Sequence, residues 1–89
     1  MNPSQLAAEL SSIGVSPSKS WGQNFLIDDG VADRQIAYAS IHPEDTVLEI
    51  GPGLGMITSR LATKAEKVIA IETDKKLAEY LSKKLPSNV

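Results

Sequence analysis

The chain contains no cysteine. That excludes a disulfide framework and a thiolate metal site, and it fits a reducing compartment, with the cytoplasm as the expected location. Aromatic residues are scarce, with one Trp, one Phe and two Tyr, and Trp21 and Phe25 read as packing anchors rather than base-stacking surfaces. No apolar run approaches the ~20 residues that a membrane span requires, and "MNPSQLAAEL" has neither a basic n-region nor a long apolar h-region. A membrane partner is not expected. The single histidine, His42, precedes a proline and has no second ligand or nucleophile near it in sequence, so it reads as a surface or capping residue, and no metal is nominated.

A strong positive charge is also lacking. The net charge is -2, which is not the electrostatic footprint of a nucleic-acid binder. Residues 1–45 carry two bases against six acids, whereas residues 46–89 carry seven bases against five acids. The later bases fall mostly on polar helix faces and loops, and they read as a solvated surface rather than an RNA patch. With 89 residues the chain makes at most one small domain, which buries only roughly 60–65% of the surface that its unfolded chain exposes.

Helical and strand signals alternate along the chain. Asn2 and Pro3 form a cap with proline at the first helical position, and Leu6, Leu10 and Ile13 recur at helical spacing up to Gly14. "VSPSKSWGQ" is a loop, and "NFLI" an apolar anchor in which Trp21 and Phe25 read as packing residues. Asp28 and Asp29 can cap a second helix, about Val31 to Ser40, ended by Pro43. "TVLEI" and "KVIAIE" have the composition of strands buried on both faces. Between them Leu54, Ile57 and Leu61 form a helical stripe to about Thr63. Thr73 or Asp74 caps a last helix that carries Leu77, Ala78 and Leu81 and ends before Pro86. Tyr38 and Tyr80 read as half-buried helix residues. The class is α/β with parallel strands. Two parallel strands make a poor sheet, and Pro86 to Val89 reads as a loop leading into a third. The chain is therefore expected to be a piece of a larger domain, prone to self-association through the exposed edge of "TVLEI", or else marginally stable.

"VLEIGPGLGMIT" holds glycine at positions 51, 53 and 55, directly behind the first strand. In a strand-to-helix turn, glycine permits tight backbone angles and close approach of a ligand to the helix N-terminus. The dinucleotide fingerprint would require glycine at 56, where Met56 stands, and Pro52 removes one backbone donor. The lysine-bearing mononucleotide motif is absent as well. Glu72 follows the second strand, where an acid can accept hydrogen bonds from both hydroxyls of a ribose. An adenosine-type cofactor is indicated. Glu49 lies within the first strand and must be hydrogen-bonded or protonated there; ligand orientation and a structural role both remain open.

"GQNFLID", "VLEIGPGLGMIT" and "VIAIETD" together resemble the successive signatures of the ribosomal RNA adenine-N6 dimethyltransferases. The resemblance covers about residues 15–89, and "GQNFL" is its family-specific part. It implies a Rossmann-like methyltransferase domain that begins within residues 28–89, preceded by a helix and a cofactor-lining arm in residues 1–27. It implies S-adenosylmethionine as cofactor. Asn24 and Leu26 would line its site, Leu26 through the backbone. Gly51 and Gly53 would sit beneath it, near its methionine part, and Glu72 would hold the ribose. The implied reaction is methyl transfer to adenines of small-subunit ribosomal RNA. The further strands, the acid on the cofactor's adenine, the Asn-x-Pro-aromatic catalytic motif and the helical RNA-binding domain of the family do not stand in these 89 residues. By itself the chain is expected to be inert. Two other readings compete: a dinucleotide-binding half-domain of an NAD-dependent oxidoreductase, and a non-catalytic module that retains the fold.

Overall fold

The computed structural model describes residues 2–15, 25 and 28–89. The elements follow in the order α1 (Pro3–Ser12), α2 (Asp29–Ala39), β1 (Thr46–Ile50), α3 (Met56–Lys64), β2 (Lys67–Ile71) and α4 (Lys75–Lys84). The two strands are parallel, with Thr46 opposite Lys67 and Ile50 opposite Ile71, and α3 connects them. This is the α/β arrangement that the alternating signals imply.

Local chemistry sets the helix ends. The Asn2 side chain accepts from the Gln5 N–H while the Gln5 side chain accepts from the Asn2 N–H, each at 2.8 Å, a reciprocal capping box. Asp28 caps α2 by accepting from the Val31 N–H at 3.0 Å, so the helix starts at Asp29, two residues before the expected Val31. That helix stops at Ser40, a left-handed residue with φ 51, before Pro43 is reached. Of the two candidate caps for α4, Asp74 is the one used; it accepts from the N–H groups of Lys76 and Leu77 at 2.9 and 3.2 Å. Caps of this kind each contribute about 1 kcal/mol.

The core is divided. Ile36, Leu61, Ala65 and Val68 form one cluster, in which α2 and α3 cover a single face of the sheet, with Val47 and Ile57 packed against it. Leu10, Val15 and Leu77 form a second cluster between α1 and α4, and Phe25 and Leu54 pack against that one. The expected stripe of Leu54, Ile57 and Leu61 is thus split, because Leu54 precedes the helix and points into the other core. Arg60 on α3 binds Asp29 at 2.7 Å and Asp33 at 2.8 Å, tying α3 to α2, so this base is not merely a solvated charge.

Two expectations fail. The strands are buried on one face only: Leu48 is 61% exposed, Ile50 71%, Ile69 43% and Ile71 48%. The physical reason is that both helices of the first cluster, α2 and α3, lie on the side of Val47 and Val68, which leaves Leu48 and Ile50 on the opposite face largely exposed. Tyr38 is 88% exposed, since its position on α2 faces away from the cluster that buries Ala32 and Ile36. Tyr80 is half-buried, and its hydroxyl donates to the Glu9 carboxylate.

The chain end returns to β2. Asn88 accepts from the Val68 N–H through its carbonyl at 2.9 Å, while its side-chain amide donates to the Ala62 carbonyl at the end of α3 at 2.8 Å. The backbone of Val68 faces away from β1, so Asn88 lies where a further strand would pair.

Candidate functional site

The site is organised by the turn between β1 and α3. Gly51, Gly53 and Gly55 have φ 70, 59 and 83, all left-handed. The Gly51 N–H continues the ladder by donating to the Ile71 carbonyl at 2.9 Å, and the Gly55 N–H closes a tight turn onto the Pro52 carbonyl at 2.9 Å. Gly55 caps α3 with no side-chain hydrogen bond, so among the described residues the first amides of the helix meet no capping oxygen.

Each glycine has a different neighbour. Among the described residues a methyl group on Gly51 would meet nothing within 4 Å. On Gly53 it would stand 3.2 Å from the Phe25 ring, and on Gly55 only 2.9 Å from the Leu81 side chain of α4. The spacing alone does not separate these roles. The third glycine is there for helix packing, the second for the arm, and the first leaves space.

Gly51, Gly53 and Glu49 share one small cavity of about 80 Å³, with Phe25, Met56 and Ile57 among its walls. Glu49 points inward from β1 and accepts from the hydroxyl of Thr58, which is fully buried on α3. Burial pushes the Glu49 carboxyl above its ordinary value, and the Thr58 hydrogen bond works in the opposite direction. The requirement that this carboxylate be hydrogen-bonded is met by a residue nine positions later, which the sequence pattern did not single out. A hydroxyl in the first turn of the helix behind the glycines is the signal that could have found it.

Glu72 follows β2 directly and accepts from the Asp74 N–H at 2.9 Å. It borders a separate groove of about 630 Å³ that runs between β2 and α4 and is walled by Ile69, Ile71, Leu81 and Leu85. Pro52 lines both hollows. The structure therefore brings Gly51, Gly53 and Glu49 together and sets Glu72 across Pro52 from them. Asn24 and Leu26 lie outside the described residues, as does Trp21. The His42 N–H donates to the Asp45 carboxylate at 2.8 Å in an exposed turn, away from both hollows.

A parallel strand pair joined through a glycine turn and a helix, with an acid behind the second strand, defines the opening unit of a Rossmann-like domain. Residues 15–89 match the family model described as Ribosomal RNA adenine dimethylase, and the chain belongs to that family. It is 51% identical over 72 residues to the ribosomal RNA small subunit methyltransferase A of Pelotomaculum thermopropionicum, covering 81% of this chain and 24% of that protein. With the protein of the same name from Magnetococcus marinus it shares 53% over 68 residues, 76% of this chain and 24% of the relative. Among solved structures, a dimethyladenosine transferase from Plasmodium falciparum superposes with a TM-score of 0.65 at 38% identity, covering 67% of this chain and 22% of that one. The chain spans about a quarter of the length of the curated relatives it matches. The oxidoreductase reading is not favoured by any of these relationships.

Proposed function

We propose that this chain forms the cofactor-binding front part of an enzyme that transfers methyl groups from S-adenosylmethionine to the N6 of adenines in small-subunit ribosomal RNA. The observation that carries the reading is the family match over residues 15–89, combined with a glycine turn whose first member stands open. The cofactor would supply a methyl group activated on a sulfonium. Gly51 and Gly53 would lie beneath its methionine part, where the absent Cβ of Gly51 lets the backbone come close. Glu72 would accept from the two ribose hydroxyls, and its second role as acceptor for Asp74 would hold the carboxylate in place. Asn24 and Leu26 would line the site from the arm. The enclosed cavity of about 80 Å³ is far smaller than a typical cofactor pocket of roughly 300 Å³ or more, so the arm and the rest of the longer relatives' fold would complete it. Methyl transfer to adenine needs a flipped base held against the sulfonium, and the chain by itself is expected to be inactive for want of those parts.

The test is a backbone amide NMR titration of the chain with S-adenosylhomocysteine and, separately, with NAD. Shifts at Gly51, Gly53, Gly55 and Glu72 with the first ligand alone are the expected result. A preference for NAD would overturn the assignment of the site, and indifference to both ligands in a well-dispersed spectrum would show that these residues do not hold the cofactor by themselves.

A further inference from the structure

Helix α1 precedes the residues that match the family, yet its buried face belongs to the same apolar cluster as the glycine turn. Leu10 is fully buried between Val15 and Leu77, and Phe25 and Leu54 pack against the three of them. Phe25 in turn covers Gly53, and Phe25, Gly53 and Leu54 all line the small cavity. A polar clamp holds the outer side of the helix. The Tyr80 hydroxyl donates to the Glu9 carboxylate, the Lys84 ammonium lies 3.3 Å from the same oxygen, and the Lys76 ammonium donates to the Gly14 carbonyl at 2.8 Å. One apolar cluster thus joins α4, α1 and the ring that stands on the turn. Close-packed side chains shift together rather than singly, so a change in the seat of α1 is felt at Phe25.

We infer that the Glu9–Tyr80–Lys84 clamp, by seating α1, positions Phe25 over Gly53 and so sets the affinity of the glycine-turn site for its cofactor. Glu9 and Tyr80 are positioning residues: neither lines the cavity, and both act through Leu10 and Phe25. The identity of the ligand rests on the function proposed above; the coupling of α1 to the turn does not.

The test uses the whole chain in four forms: unaltered, Glu9→Lys, the charge swap Glu9→Lys with Lys84→Glu, and Ile36→Val, which loosens the other core cluster as a stability control. Amide hydrogen exchange at Leu10, Gly51 and Gly55, the latter two bonded to the Ile71 and Pro52 carbonyls, is measured without ligand, and the Kd for S-adenosylhomocysteine is measured by calorimetry. Glu9→Lys is expected to speed exchange at all three amides and to weaken binding about five-fold or more, the lower range of measured couplings between sites. The swap is expected to restore both, and Ile36→Val to change neither. Tyr80→Phe, which removes one hydroxyl, gives an intermediate effect and stands in if Glu9→Lys does not fold. Fast exchange at Leu10 with Gly51, Gly55 and Kd unchanged would overturn the inference. So would slow exchange at Leu10 in Glu9→Lys, or equal weakening by Ile36→Val. If the unaltered chain does not bind S-adenosylhomocysteine, the exchange data alone decide the coupling.

Discussion

The hydroxyl of Thr58 donates to the carboxylate of Glu49, joining the first turn of α3 to the strand in front of it, directly beneath the glycine turn. The bond makes a half-buried acid tolerable in the sheet and ties α3 to β1.

Removing the donor tests this. Thr58→Val keeps the shape of the side chain and leaves a partly buried carboxylate without its hydrogen bond, at an expected cost of about 1–3 kcal/mol in urea unfolding at neutral pH. The pH dependence has a definite sign. Because burial raises the folded-state pKa of Glu49, the folded chain binds this proton more tightly than the unfolded chain does. That contribution to stability is complete below the ordinary glutamate value of about 4.3 and is lost as the pH rises through the raised folded value. Glu49→Gln should flatten this part of the profile, and Thr58→Val should extend it to higher pH. A Thr58→Val profile identical to that of the unaltered chain would show that the bond does not contribute.

The glycines should separate when each is replaced by alanine. Gly55→Ala adds a methyl group 2.9 Å from Leu81 at a left-handed backbone angle, and should lower stability by about 1–3 kcal/mol. Gly51→Ala meets no neighbour among the described residues, so its expected cost is the backbone strain, about 1–2 kcal/mol. Its main effect should be on ligand: about ten-fold or more weaker S-adenosylhomocysteine binding, which corresponds to roughly 1.4 kcal/mol of lost contact. Thermal unfolding and calorimetry on the two variants check the pair, and equal effects on binding would remove the distinction.

The uncovered sheet face should make the chain associate. Leu48, Ile50, Ile69 and Ile71 form a contiguous apolar strip, and β1 has no strand partner on its outer edge among the described residues. Sedimentation velocity should show a mass that rises with concentration, and the double variant Leu48→Lys, Ile50→Lys should reduce that rise. A monodisperse monomer that unfolds cooperatively at high concentration would contradict the expectation.

Local signals in the sequence determined the elements and their order. Capping residues, proline at the first helical position and short β-branched runs act over three or four residues, so Asn2 with Pro3, a cap at Thr73 or Asp74, "TVLEI" and "KVIAIE" could be placed without any knowledge of their neighbours. The family was legible too, because "GQNFL", the glycine turn and the acid behind the second strand keep their order and spacing along the chain. Tertiary structure alone decided the rest. It divided the apolar residues between two clusters, sent Leu54 to one and Leu61 to the other, and left one face of the strands open where both had been expected to be buried. It also gave three similar glycines three different neighbours and supplied Glu49 with Thr58. Such contacts join residues from separate elements, and their partners are set by how helices and strands pack in space, which no local pattern specifies.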